Sequence, residues 1–304
     1  MYALQLKNLQ KTYKNGFKAI QGIDLNIEKG DFFALLGANG AGKSTTIGLI
    51  SNLLPPTSGD IIINGHHLKK NPIAAKKSLG IVPQEFNLPV FETCLEVLLN
   101  FAGYFGISRK KALPRADWLL NELGLTHKKE AIVYQLSGGM KRRLMIARSL
   151  MHHPSVLILD EPSAGVDVEI RHQIWEFLKR INQMGTTIIL TTHYLEEAEQ
   201  LCNHVAILHH GKIIEQASIQ DLLKTQTHQT YIFVTKDSFQ GLPNMKTWKT
   251  TIINETSFEV TLPAHTSLNE VFSHLLEHQI EIHSATHKTN RLEALFMELI
   301  KDEH

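Results

Sequence analysis

The sequence predicts an α/β protein with a phosphate-binding loop at its centre and a small α+β appendage at its end. Three observations carry this. The apolar run Asp31-Phe32-Phe33-Ala34-Leu35-Leu36 reads as a buried strand. It leads into Gly37-Ala38-Asn39-Gly40-Ala41-Gly42-Lys43-Ser44-Thr45, and then into a helical pattern expected to run to Pro55-Pro56. Further short apolar segments at 79–83, 156–160 and 186–192 read as buried strands with helical stretches between them. Beyond about residue 224 the texture changes to Thr-rich and Gln-rich linker.

The loop fits G-x-x-x-x-G-K-[ST], and its strand–loop–helix context is the one that pattern needs. Its glycines let backbone N–H groups converge on anionic oxygens with no Cβ in the way. A helix N-terminus adds partial positive charge. Lys43 is expected to reach the β- and γ-phosphates and Ser44 to ligate Mg²⁺. The expected core is therefore that of a P-loop NTPase.

The totals set bounds on everything else. The 304 residues suffice for one large domain and a small one, and 43% hydrophobic with 20% charged content describes an ordinary globular protein. A net charge of +1 offers no electrostatic case for nucleic acid or an anionic membrane surface. No apolar run reaches membrane-spanning length and residues 1–6 lack a signal-peptide layout, which suggests a cytosolic chain. Cys94 and Cys202 have no metal spacing.

In chain order, residues 3 to 9 and 23 to 27 read as antiparallel strands joined through Gly16, an antiparallel β subdomain ahead of the loop. Tyr13 lies in that connection, where spacing leaves two readings open: an aromatic face for a nucleotide base, or a strand-end tyrosine. Residues 61–65 form a strand closed by an Asn-Gly turn, and the strand at 79–83 ends at Gln84. Helices are expected over 92–105 and 115–123, so the stretch from about 85 to 150 reads as a helical insertion. Ser137 then caps a helix whose first residues are Gly138 and Gly139. Two glycines there are costly unless something approaches the backbone, which suggests a second anion site, or the same phosphate seen from another subunit.

The strand at 156–160 ends in Asp160, followed by Glu161. Adjacent acids at the end of a buried strand suit a cation or a reacting water. Residues 162–167 turn into a helix ending at Gly185, and His193 follows the strand at 186–192, at the edge where α/β ligands gather. A hairpin about Gly211 and a helical segment at 221–224 follow. The tail reads as strands near 230–236, 258–262 and 280–282, a helix with a Ser267–Glu270 capping box, and a last amphipathic helix from Asn290. His274-Leu275-Leu276-Glu277-His278 matches a zinc-peptidase pattern, but a short tail helix with no third ligand in view argues against metal.

Taken together, the loop at 37–45, Gln84, Leu136-Ser137-Gly138-Gly139, Asp160-Glu161 and His193 resemble the ATP-binding subunits of ABC transporters over residues 1 to about 220. The resemblance implies the ABC ATPase fold, with an ATP-binding domain at 1–220, a helical subdomain at about 85–150, and a C-terminal accessory domain at 225–304. It makes Tyr13 the adenine-stacking aromatic. It implies an ATP-sandwich dimer of two copies: Gly37 to Thr45 and Asp160 bind nucleotide in one copy, and Ser137, Gly138 and Gly139 of the other complete the site. Ser44, Gln84 and Asp160 would hold Mg²⁺, and Glu161, His193 and Gln84 would serve hydrolysis. The sequence 163–167 and the continuation Lys141-Arg142-Arg143-Leu144 resemble the multidrug and polysaccharide export group. The resemblance also implies a separate membrane permease, a peripheral place on the cytoplasmic face of the cell membrane, and no nucleic-acid partner. Two positions depart from the family pattern: Ala38, where proline or serine is common, and Met140, where glutamine ends the signature. The alternative is a soluble, non-transport ATPase of the same core, translation-associated or regulatory.

Overall fold

A computed structural model describes residues 1–225, 228–239, 241–243, 248–263 and 266–288, together with Leu292, Glu293, Leu295 and Phe296. Asn290, Leu299 and Ile300 of the expected last helix lie outside the described residues. The chain divides into two compact units, Met1–Ser218 and Ile219–His304.

The first unit holds two sheets. β1 (Tyr2–Thr12), β2 (Lys18–Glu28), β4 (Ser58–Ile63) and β5 (His66–His67) form an antiparallel sheet in the order β2-β1-β4-β5. In β2 the inward face is apolar at alternate positions (Ile23, Leu25 and Ile27), each almost wholly buried, while Asp24 and Asn26 point outward. The second sheet has the order β10-β9-β3-β8-β7-β6, built from β3 (Phe32–Leu36), β6 (Leu79–Val82), β7 (Val156–Asp160), β8 (Thr187–Thr191), β9 (His204–His209) and β10 (Lys212–Ser218). All its pairings are parallel except the β9–β10 hairpin. Both β3 and β8 are buried along their whole length, as parallel strands covered on two faces require.

Helices lie between these strands: α1 (Lys43–Ile50), α2 (Pro72–Lys77), α3 (Cys94–Tyr104), α4 (Arg109–Glu122), α5 (Gly138–Ser149), α6 (Val168–Gln183) and α7 (Leu195–Leu201). Three depart from expectation. α1 stops at Ile50, short of Pro55. Asn52 adopts a left-handed φ of 60°, and the Leu53 and Leu54 N–H groups turn back onto the Gly48 carbonyl. α4 starts at Arg109 and passes through Pro114 instead of starting after it. An interior proline costs about 3 kcal/mol. Ala112, Ala116, Leu119 and Leu120 form one buried stripe only if the helix is continuous, and each buried leucine returns about 1.5–3 kcal/mol. α3 starts at Cys94, because Thr93 and Glu96 form a reciprocal capping box.

The second unit begins with α8 (Ile219–Lys224). Its antiparallel sheet has the order β12-β13-β11-β14, from β11 (His228–Thr235), β12 (Lys249–Asn254), β13 (Ser257–Pro263) and β14 (Ile282–His287). β12 is a strand the sequence did not suggest. It is exposed along most of its length and lacks a buried alternating face. α9 (Leu268–Glu277) brings Val271 and Leu275 onto Phe233, Phe258 and Val260. Ser267 caps it through the Asn269 N–H. His278 Nδ1 lies 2.9 Å from the His274 carbonyl oxygen, and among the described residues no cluster of three or more potential ligands could hold a metal.

Replacing Thr93 with Ala removes the α3 cap. It should cost about 1 kcal/mol and lower Tm by roughly 2–4 °C in thermal unfolding, while Thr93→Ser should stay close to wild type. An unchanged Tm in Thr93→Ala would contradict the cap's role.

Candidate nucleotide site

The carboxyl ends of β3, β8, β7 and β6 lie side by side in that order, and each delivers one part of a cleft of about 540 Å³. From β3 comes the loop 37–42 and α1. β8 delivers His193, β7 delivers Glu161, and β6 delivers Gln84. Tyr13, from the β1–β2 connection, closes the far wall with Phe17.

The loop is held by contacts that only glycine permits. A Cβ on Gly37 would stand 2.5 Å from the Leu208 carbonyl oxygen. One on Gly42, whose φ is 114°, would meet the Ala19 carbonyl oxygen at 2.9 Å. The loop is thus threaded between β2 and β9. Lys43 is 7% exposed, and its ammonium donates to the Gly37 carbonyl at 2.6 Å and the Ala38 carbonyl at 3.1 Å. Burial draws its pKa down, while Glu161 and Asp160 pull it back up. Ala38, Asn39, Gly40 and Ser44 are exposed on the cleft side, and the first N–H groups of α1 have no side-chain cap. That leaves them available to an anion.

The register of β7 on β8 pairs Asp160 with Thr191, whose hydroxyl donates to Asp160 Oδ1 at 2.5 Å. Burial pushes the Asp160 carboxyl above its usual range and the neighbouring Glu161 adds to this. Thr191, Lys43 and Arg142 oppose the shift. Glu161 sits at a left-handed φ of 49°, unusual for a side-chain-bearing residue, and its N–H donates to the Thr191 carbonyl at 3.0 Å. This turn swings its carboxylate out of the strand line. Gln84 Nε2 donates to Glu161 Oε2 at 3.1 Å, and His193 Nδ1 lies 3.2 Å from Glu161 Oε1. One carboxylate is therefore bracketed by an amide and an imidazole.

Tyr13 is half-exposed, with its hydroxyl 3.4 Å from Thr45 Oγ1 and its ring stacked on Phe17 at 6.4 Å. Gly37, Ala41 and Asp160 do not line the cleft. Ser137, Gly138 and Gly139 are also outside its lining, at the start of α5. Ser137 accepts the Met140 N–H at 3.3 Å, and Ser137 and Gly138 are exposed. Sequence reasoning missed Phe17, Thr191 and Arg142. Only Thr191 left a signal, as the strand-end hydroxyl that stands opposite Asp160 once β7 and β8 are paired in parallel.

Residues 20–164 match the family model described as ABC transporter. The chain is 39% identical to the linearmycin resistance ATP-binding protein LnrL of Bacillus subtilis, over 94% of this chain and 86% of that protein. It is 38% identical to the Nod factor export ATP-binding protein I of Cupriavidus metallidurans, over 79% and 78%. Among solved structures, an ATP-binding subunit of an ABC transporter superposes with a TM-score of 0.68 at 31% identity, covering 73% of this chain and 92% of that one. A dimeric ATP-binding cassette in a post-hydrolysis state with ADP and Pi superposes with a TM-score of 0.65 at 30% identity, covering 71% and 98%. The chain belongs to the ABC transporter ATP-binding subunits. It has the ABC ATPase fold, and it binds and hydrolyses ATP.

The raised Asp160 pKa has a consequence for stability. A carboxyl whose folded pKa exceeds its unfolded value leaves the fold most stable when protonated, and that stability is lost as pH rises through the folded pKa. Asp160→Asn keeps an acceptor for Thr191 without the charge. In ATP-free protein it should raise Tm at pH 7, with the gain shrinking as pH falls through the folded pKa, while turnover is lost. A lower Tm at pH 7 would contradict the direction of this shift.

Proposed function

We propose that this chain powers export through a separate membrane subunit, and that two copies face each other head to tail with ATP between them. The observation that carries the reading is the split of the chemistry. Lys43, Glu161, Gln84 and His193 share one cleft, while the helix start Ser137-Gly138-Gly139 of the same chain, exposed at Ser137 and Gly138, is outside it. A second copy would supply that helix start to the γ-phosphate, with unobstructed N–H groups and the positive end of α5. The dimeric relative and the export and resistance named in the relatives support the reading. Among the described residues no helix is long and apolar enough to cross a membrane, so the path for cargo is assigned to another subunit.

In this mechanism Tyr13 stacks on the adenine. The N–H groups of residues 38–45 and Lys43 hold the phosphates, with Lys43 exchanging its Gly37 and Ala38 carbonyl partners for phosphate oxygens. Ser44, Gln84 and Asp160 provide oxygen donors of the hard type that Mg²⁺ takes, and the raised Asp160 pKa reports an anionic position that a cation would relieve. Bound Mg²⁺ would neutralise charge on the β- and γ-phosphate oxygens. Glu161 polarises the attacking water, and its bonds to Gln84 and His193 fix the carboxylate's direction. His193 also steadies the γ-phosphate. Catalysis is then positioning plus preorganised charge. Phe86 and Phe91, 50% and 87% exposed beside Gln84, lead into the Thr93-capped α3 and would form the surface that meets the membrane subunit. ATP-driven closure would bias that partner between two states.

Glu161→Gln should lower turnover by about 10²-fold or more and trap an ATP-bound dimer on size exclusion. Unchanged turnover would sink the role given to Glu161, and a variant that stays monomeric at saturating ATP would sink the sandwich.

A further inference from the structure

The loop behind Gln84 takes most of its polar contacts from a single helix. Arg142, 2% exposed on α5, donates through Nη1 to the Pro83 carbonyl at 2.7 Å and through Nη2 to the Gln84 carbonyl at 2.6 Å. Six residues on, Arg148 donates through Nη1 to the Asn87 carbonyl at 2.9 Å and through Nη2 to Asn87 Oδ1 at 2.5 Å. The Arg142 guanidinium also lies over the Phe86 ring, 5.2 Å from its centre, and Arg148 lies 5.5 Å over Phe101 of α3. At the start of α5, a Cβ on Gly138 would be 4.0 Å from Phe86.

Burying Arg142 and half-burying Arg148 costs desolvation, which lowers both pKa values. A planar fork meeting two acceptors at once offsets that cost and fixes relative position in a way a single point charge does not. The four acceptors span residues 83–87, so this loop cannot shift relative to α5 without breaking charge-assisted bonds. Gln84 in turn holds Glu161.

We infer that Arg142 and Arg148 clamp the Gln84 loop to α5 into one rigid strut. The helix start Ser137-Gly138-Gly139, which serves one ATP in the dimer, then moves together with Gln84, which serves the other. Arg142 is a positioning residue that couples the two ATP sites, and the inference rests on the sandwich reading given above. Without the clamp each site would still bind ATP, but closure at one would no longer set Gln84 at its neighbour.

The test compares wild type with Arg142→Met and Arg142→Lys in the full chain, reading ATP Kd, kcat and the Hill coefficient. Wild type should show a Hill coefficient approaching 2. Arg142→Met should keep Kd within about twofold, lose about 5-fold or more in kcat, and bring the Hill coefficient towards 1. Arg142→Lys, which keeps the charge but not the two-pronged grip, should fall between. A purely local stabilising role would lower Tm and affinity, or lower kcat with cooperativity intact. Either result would overturn the strut, as would a Hill coefficient of 1 in a wild type that still forms the ATP dimer. If Arg142→Met does not fold, Arg142→Lys decides by the same criteria. Failure of the sandwich reading is distinct: Glu161→Gln would then form no ATP dimer at all.

Discussion

The parallel register of β3, β8, β7 and β6 is the constraint on which the site depends. Four neighbouring strands end at one edge, so a lysine loop, a histidine, Glu161 and a glutamine far apart in sequence arrive in one cleft, with Asp160 at the end of the strand before Glu161. Slipping β7 by one residue on β8 would turn Asp160 away from Thr191 and reverse its faces. Register is secured by burial on both sides of the sheet, so the stability of the core and the geometry of the site have the same origin.

Within that frame the site stores cost. Asp160 is desolvated beside another carboxylate, Glu161 is held at a left-handed φ, and Lys43 is buried. Each is unfavourable alone; in the proposed ATP-bound state a cation would relieve the charge on Asp160 and phosphate oxygens would pair Lys43. Closure of the cleft would exchange these strained partnerships for bonds to ATP, which gives ATP its leverage on the chain's conformation.

Much of this was legible in the sequence because motif spacing is tied to backbone geometry. Gly37 and Gly42 had to be glycine for the reason their contacts display, and the N-cap at Ser137 formed as its residue type required. The departures come where long-range packing overrides local preference. A helix expected to start after Pro114 begins instead at Arg109 and carries one continuous buried stripe, and α1 ends on a left-handed Asn52 well before the prolines. β12 carried no alternating pattern because it is largely exposed. The clamp of Arg142 and Arg148 on 83–87 was invisible because about sixty residues separate donor from acceptor. Spacing alone left Tyr13 open and the resemblance assigned it to the adenine; in the fold its hydroxyl lies 3.4 Å from Thr45 Oγ1 and its ring stacks on Phe17.

In the proposed dimer a working site is built from two chains, with Lys43 from one and Ser137 from the other. Mixing two variants tests it directly. Lys43→Ala and Ser137→Arg should each be inactive alone, while an equimolar mixture should regain ATPase activity, because a mixed dimer contains one site with both an intact loop and an intact signature. Activity that stays at the level of the separate variants, in a mixture shown to form mixed dimers, would contradict the account.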